Sequence, residues 1–459
     1  MILAVLCGLS ACASYPERTA EAYRAFEGGR LDDAARLYGD PKTTDSEFLG
    51  GVEAGTVALA AGDWDGALEH LHKAAASVQE FEDRALVSPT SAGESLLTWT
   101  VNEGMAGYRG EGFERVMLHA SLGIAYLGKG LLDDVGVEAR RANKLLESEE
   151  ALYEKEYAAG GLGHFLSALV YELQGQPDNA YIDYQRMLAK HVGAEFAGRA
   201  ALRLAKRLSY SDDYDKLRER FGDDPARPDG AATIVVIAGV GAGPYTEEIT
   251  LPIPTPGGLL QWSVPRLVGR PQAVSALELG LGSGPSVRTE VIEDVFEVTR
   301  QNLDDRIAWL AAKSAVRAVL KRELTQELDK KHPLLGAIAG TVYTLATEHA
   351  DLRAWQTLPN TWQAARAFVA PGEHELVLTA VGGETQRLGL FEFERGETVF
   401  VFARTFGAGL AAHVIGGKRL DGPATGPATE PAAESPVNVP VNTTSTTSGA
   451  AQAAVPQYL

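Results

Sequence analysis

The sequence predicts an α+β protein: an all-α solenoid of helical repeats, then a β-sandwich-like domain with an inserted helical hairpin. Three observations point there. A Gly–acidic–Ala pattern recurs between apolar helical stretches before residue 220, and short segments punctuated by Gly and Pro fill 232–416. Inside the second region, at about 290–349, the apolar period lengthens to that of helices.

The first half rests on four segments: Gly29-Arg30-Leu31-Asp32-Asp33-Ala34, Gly62-Asp63-Trp64-Asp65-Gly66-Ala67, Gly130-Leu131-Leu132-Asp133-Asp134-Val135 and Gly175-Gln176-Pro177-Asp178-Asn179-Ala180. Gly lets the chain turn between antiparallel helices, acidic residues favour the start of the second helix, and Ala permits close approach. The glycines lie 33, 68 and 45 residues apart. This resembles the ~34-residue tetratricopeptide repeat with insertions, and places a TPR-like domain at 12–220. One unit sets Leu122, Ala125 and Tyr126 against Val137, Ala139 and Ala142; another sets Leu166, Leu169 and Tyr171 against Tyr181 and Tyr184. Such a solenoid offers a concave face to a protein partner, or else packs that face against the second domain.

Residues 221–231 read as a linker, and a strand begins at Thr233-Ile234-Val235-Val236-Ile237. It runs into Gly239-x-Gly241-x-Gly243. A dinucleotide site would need a helix to start at those glycines. Pro244 and the run Leu251-Pro252-Ile253-Pro254-Thr255-Pro256-Gly257 forbid one, so the loop should lead to another extended segment. Further short extended pieces are expected at 262–267 and 274–279. A helical period follows from Ile292 through Phe296, Leu303, Ile307, Leu310, Leu320, Leu324 and Leu328, and a small-residue helix from Leu334 to about His349. At about 16 residues the latter is short of the ~20 that a bilayer requires. Strands at Trp362–Val369, Glu375–Val381, Arg387–Phe393 and Thr398–Thr405 read as an antiparallel meander, and 417–459, rich in Pro, Ala, Thr and Ser, as a disordered tail.

Composition narrows the function. The 459-residue chain carries a net charge of −19, without a basic cluster for nucleic acid. Its only cysteines, Cys7 and Cys12, lie in the opening stretch, so the body holds no thiol for a disulfide, a metal or catalysis. His70 and His72 sit two apart on a helix and point to different faces, a poor metal pair. Gly282-Ser283-Gly284-Pro285 lacks the spacing of a nucleophile elbow, and Glu293-Asp294 and Asp304-Asp305 read as solvated helix faces. No catalytic constellation, cofactor site or metal site is expected.

The opening MILAVLCGLSAC is apolar, uncharged and too short to span a membrane. Leu9-Ser10-Ala11-Cys12 resembles a bacterial lipobox. That resemblance implies cleavage of residues 1–11 and a lipid on Cys12. No positive charge precedes Ile2, which places the expected start upstream. Ala13 stands where an inner-membrane retention Asp is common, which favours the periplasmic leaflet of the outer membrane.

Two more motifs extend the likeness. Ala350-Asp351-Leu352-Arg353-Ala354-Trp355-Gln356-Thr357-Leu358-Pro359 resembles the A-D-x-R-x-W-x-x-L-P signature of a poorly characterised family of TPR-bearing Gram-negative envelope lipoproteins, and Tyr108…Phe113-Glu114-Arg115 resembles its first-half motif. The likeness covers most of 12–407. It implies an envelope protein without an assigned reaction, in the setting of peptidoglycan synthesis or envelope assembly. A lipid-anchored periplasmic adaptor that binds a protein partner is the expected function. The alternative is an envelope enzyme or glycan-binding lipoprotein with its site in the β-rich domain. Asp351 and Arg353, two apart in a turn, are expected either to form a structural latch that orients Trp355 or to line a ligand site.

Overall fold

Gly29, Gly62, Gly130 and Gly175, the four turn glycines of the repeat pattern, all take left-handed φ between 68° and 74°. A Cβ there would strain the backbone, and each glycine reverses the chain between two helices. The computed structural model describes residues 14–87, 108–224, 227–255, 258–282, 284, 286–308 and 350–422. Its helical half comprises α1 (Tyr15–Glu27), α2 (Leu31–Tyr38), a short α3 (Pro41–Thr44), α4 (Glu47–Ala61) and α5 (Trp64–Val87). There follow α6 (Gly112–Gly128), α7 (Leu132–Tyr153), α8 (Gly161–Leu173), α9 (Pro177–Ala189), α10 (Ala194–Leu208) and α11 (Ser211–Phe221).

The antiparallel pairs are α1/α2, α4/α5, α6/α7, α8/α9 and α10/α11. In the last pair Ser209, at φ 61°, takes the place of glycine, so the glycine pattern did not reveal that turn. Gly51 and Gly55 let α4 lie close on α5, since a Cβ on them would reach Ala74 and Leu71 at 2.8 Å and 2.7 Å. The expected pairing of Val137 with the α6 face is corrected: Val137 is exposed, and Val135, Ala139 and Ala142 point inward.

The strands are β1 (Ala232–Val240), β2 (Tyr245–Thr255), β3 (Gly258–Val268), β4 (Leu277–Leu281), β5 (Val287–Arg288) and β6 (Glu290–Asp294). The second run is β7 (Thr361–Val369), β8 (Gly372–Ala380), β9 (Thr385–Phe393), β10 (Thr398–Phe406), β11 (Gly409–Ile415) and β12 (Lys418–Arg419). One sheet has the order β11-β10-β1-β7-β6 and the other β12-β9-β8-β4-β5; β2 and β3 form a separate hairpin. The meander is corrected. β8 and β9 do pair, but β7 joins β1 and β6, and β10 runs parallel to β1, so the chain alternates between sheets. The hairpin at about 290–349 is also corrected at its start. Residues 290–294 are strand β6, whose Ile292 is a core residue, and a helix begins at 295 and is described as far as 308. The rest of that expected hairpin and the tail beyond Gly422 lie outside the described residues. Among those residues, no helix is long and apolar enough to cross a membrane.

The first sheet is buried on both faces, which explains why β1 reads as an unbroken apolar run instead of an alternation. Ile234, Val236 and Ala238 of β1 meet Leu277, Leu279, Leu376 and Leu378 of the second sheet. Val235 and Ile237, with Trp362, Ala364, Phe400 and Phe402, join the core of the helical half. The result is three layers, with helices on one sheet and that sheet on another. Accordingly α4, α6 and α8 are buried almost all round, as helices walled on both sides must be. The contact is close: a Cβ on Gly161, at the start of α8, would lie 1.6 Å from the Ile292 carbonyl oxygen. Gly161→Ala should therefore lower stability by about 2–3 kcal/mol, read as a drop in urea midpoint; an unchanged midpoint would mean that α8 and β6 do not abut.

Candidate functional site

The two motifs of the sequence meet in one place. Residues 350–360 have neither helix nor strand and run between the helices and the first sheet, and their backbone donors are met by carboxylates from the helical half. Glu114, in the first turn of α6, accepts the Trp355 N–H at 2.6 Å through Oε1. Its Oε2 accepts from the Tyr108 hydroxyl at 2.7 Å and from the Glu111 N–H at 3.0 Å. Glu53, at the centre of α4, accepts from the Gln356 and Thr357 N–H groups at 2.8 Å and 2.9 Å and from the Tyr15 hydroxyl at 2.9 Å. An extended segment cannot pair its own backbone groups, so buried carboxylates satisfy them.

The remaining motif residues complete the constellation. Asp351 receives both Nε and Nη2 of Arg353, which holds the turn two residues before the tryptophan. The Arg353 guanidinium lies 5.1 Å from the Tyr108 ring centroid. Trp355 is 2% exposed, and its Nε1 donates to Thr56 at 3.1 Å and Thr357 at 3.0 Å. Arg115 donates to the Gly110 carbonyl at 2.5 Å and to Glu149 at 2.9 Å. Phe113 is buried in the helical core. Cys12 lies outside the described residues.

Sequence reasoning missed three residues here. One is Glu53, the single charge inside the apolar body of α4. The second is Glu293, read as part of a solvated helical pair and corrected by the structure. It lies in β6, fully buried, and accepts from the Gly160 and Leu162 N–H groups at 3.2 Å and 3.1 Å. It thus caps α8, whose first N–H groups have no helical partner. The third is Arg404, in the apolar β10. It donates to the carbonyls of Gly239, Gly241, Thr405, Thr357 and Leu358 and so ties the glycine-rich loop to the 350–360 segment. The glycines serve that approach: Gly241 has φ +79°, and a Cβ on Gly243 would come within 2.2 Å of the Leu358 oxygen. The loop leads into β2, as its prolines predict.

Burial sets the titration of these acids. It pushes both Glu114 and Glu293 up to about 7, against the opposing pull of their N–H donors. Glu53 moves the same way for the same reason. Burial likewise lowers Arg404 to about 10, which leaves it charged at neutral pH.

A Ser, a His and an Asp also come together, but in the wrong order for nucleophilic catalysis. Asp183 is the shared acceptor, 2.7 Å from the Ser167 hydroxyl and 3.0 Å from His164 Nδ1. A triad needs the imidazole between the other two; here the trio ties α8 to α9. His119 lies between Glu138 at 2.5 Å and Glu82 at 3.0 Å and joins α5, α6 and α7. His72 bonds to Tyr126 while His70 lines a separate hollow, so they diverge as the spacing predicts.

A TPR-like helical module fused to a two-sheet module is the class this fold defines. No protein-family model matches the chain, and no curated protein is similar to it. Among solved structures, MamA is similar at 16% identity over 45% of this chain and 89% of its own, with a TM-score of 0.30. TTC0263, a TPR protein of Thermus thermophilus, is 17% identical over 45% of this chain and 90% of its own, with a TM-score of 0.25. PilW, a type IV pilus biogenesis factor, is 12% identical over 45% and 91%, also at 0.25.

Proposed function

We propose that the protein is a lipid-anchored scaffold of the Gram-negative envelope, held at the periplasmic leaflet of the outer membrane through Cys12, and a member of the lipoprotein family its motifs resemble. The carrying observation is that the inner helices of the solenoid are already covered by residues 353–364 and the first sheet. The motif residues therefore act as an internal latch that makes one body of two modules, and a partner meets the outer helices. Leu131, Val137 and Ile182 expose 45–52% of their surface there, which supports a docking role for that side.

A photo-crosslinking residue at Val137 or Ile182 in cells should give one discrete protein adduct. The same residue at Thr385, on the second sheet, should give none. Adducts from Thr385 alone would sink the model and favour ligand or glycan recognition by the β-rich module. In parallel, Cys12→Ala should move the protein from the membrane fraction to the soluble one; retention at the membrane would count against the anchor.

A further inference from the structure

The face that β1, β7 and β10 turn toward the helices changes character along its length. At one end it is Ile237, Trp362 and Phe402, packed in the core. At the other, the same alternation places Thr233 beside Thr398 in register and sets Arg366 and Phe368 on that same face. These side chains do not close fully on the helices. They leave a cavity of about 240 Å³, closed on its far side by α8 and α10 and lined there by Glu172, Arg203 and Arg207, with Arg227 at its edge.

The charge in that cavity does not balance. Four guanidinium groups line it against one carboxylate, Glu172, with Asp224 the one further acid bonded to them among the described residues. Glu172 is fully engaged. It receives Arg366 through two bonds of 3.0 Å and 2.8 Å and the Tyr184 hydroxyl at 2.5 Å. Asp224 bonds Arg227 at 2.8 Å but stands 3.9 Å from Arg203, outside hydrogen-bond reach. Arg203 nevertheless exposes only 13% of its side chain, and the Phe368 ring lies 5.4 Å from its guanidinium. Arg207 is exposed and has no hydrogen-bond or ion-pair partner among the described residues, and Nε of the buried Arg366 has none either. Two uncompensated positive charges in a partly enclosed site are costly, and in a chain of net charge −19 they are out of character.

We propose that this cleft binds a small dianion carrying a phosphate group, held by Arg203, Arg207 and Arg227 with the Thr233 and Thr398 hydroxyls on the sheet side. The planar fork of arginine suits bidentate contact with phosphate oxygens. A dianion matches the excess of two charges, and the volume admits a phosphate with a short ester group. The site joins the two modules at the end opposite the Trp355 core, so an occupant would bridge α10 to β1 and β10 and stabilise the docked form by mass action.

Isothermal titration of the full chain with inorganic phosphate and with glycerol 3-phosphate tests this, with sodium chloride at matched ionic strength and succinate as comparisons. At least one phosphate compound should bind saturably and raise Tm. Tighter binding of the ester assigns the site to the phosphate group of a small molecule; tighter binding of the free ion assigns it to phosphate itself, and either supports the proposal. Arg207→Glu should weaken binding by tenfold or more without lowering the ligand-free Tm, because that side chain holds nothing else among the described residues and its reversal relieves the excess of positive charge. Arg203→Lys, which keeps the charge but loses the fork, should also weaken it. No saturable heat, an equal response to succinate or to chloride, or unaltered affinity in Arg207→Glu would overturn the proposal.

Discussion

Trp355→Ala is expected to cost roughly 4 kcal/mol of stability and to loosen the two modules from each other. The indole is buried between α4, α6 and the latch segment, in one apolar cluster with Phe48, Val52 and Leu358. Truncation opens a cavity at the junction, and Thr56 loses the Nε1 donor it shares with Thr357. Trp355→Phe separates the two contributions. It keeps most of the volume and removes only the donor, so its cost should be near 1–2 kcal/mol. Urea unfolding gives both values. If the latch alone couples the modules, the alanine variant should also unfold in two steps where the parent unfolds in one. A loss below about 1 kcal/mol for the alanine variant would mean that Trp355 does not hold the interface.

The latch treats the protein's own chain as a solenoid treats a bound peptide. Extended backbone lies along the inner helices, its N–H groups are taken by side-chain acceptors, and one large aromatic side chain fills a pocket. Since the segment belongs to the same chain, it does not dissociate into solution, and the effective concentration is set by the connections on either side. A competing peptide would have to displace the Glu53 and Glu114 contacts together with the packing of Trp355. Buried acids are tolerated here because each is bonded to backbone donors that no other element satisfies.

Much of the helical half was legible because its turns depend on local chemistry. The four glycines and the acids after them sit within six residues of one another, and left-handed φ leaves few alternatives to Gly. The Ser209 turn escaped because a side-chain residue adopts that conformation there. Strand positions 361–369 and 398–406 could be found from composition. Their pairing could not, because β1 beside both β7 and β10 is a contact between residues over a hundred positions apart. The latch was half visible. Asp351 and Arg353 lie close in sequence, so their bond could be anticipated. The bond from Trp355 N–H to Glu114 spans 241 residues and leaves no local trace. Lone charges in apolar runs, Glu53 in α4 and Arg404 in β10, were the overlooked signals: a charge there must have a buried partner.

The interface should weaken as pH rises from about 4.5 to neutrality. Glu114 and Glu293 each rise from an ordinary 4.5 to about 7 through burial in the folded protein. The folded state then binds a proton more tightly than the unfolded one, and each group's contribution is complete below 4.5 and lost as pH climbs through 7. The hydrogen bonds allow this. When Glu114 is protonated, the Tyr108 hydroxyl can turn from donor to acceptor, while the Trp355 N–H keeps its oxygen. Glu111, the neighbouring acid, pushes in the same direction, as does Asp294 beside Glu293. His119 adds to the trend. Burial alone would lower it, but Glu138 and Glu82 raise it above its usual range, so its stabilisation also fades as pH increases. On the acid side, Asp183 and Glu172 oppose the trend. Burial pushes both up, but His164 and Ser167 in one case and Arg366 in the other hold them below the ordinary carboxylate range, and their contribution disappears as pH falls. The urea midpoint should therefore peak near about pH 4.5–5 and fall from there to about pH 7.5, with up to about 3 kcal/mol from each raised glutamate and His119 adding to the decline above about 6.5. Glu114→Gln removes one titration and should flatten the alkaline limb, and Glu114→Gln with Glu293→Gln should flatten it further. A midpoint that holds level from about pH 5 to 7.5 in the parent protein would show that these acids stay ionised in the fold.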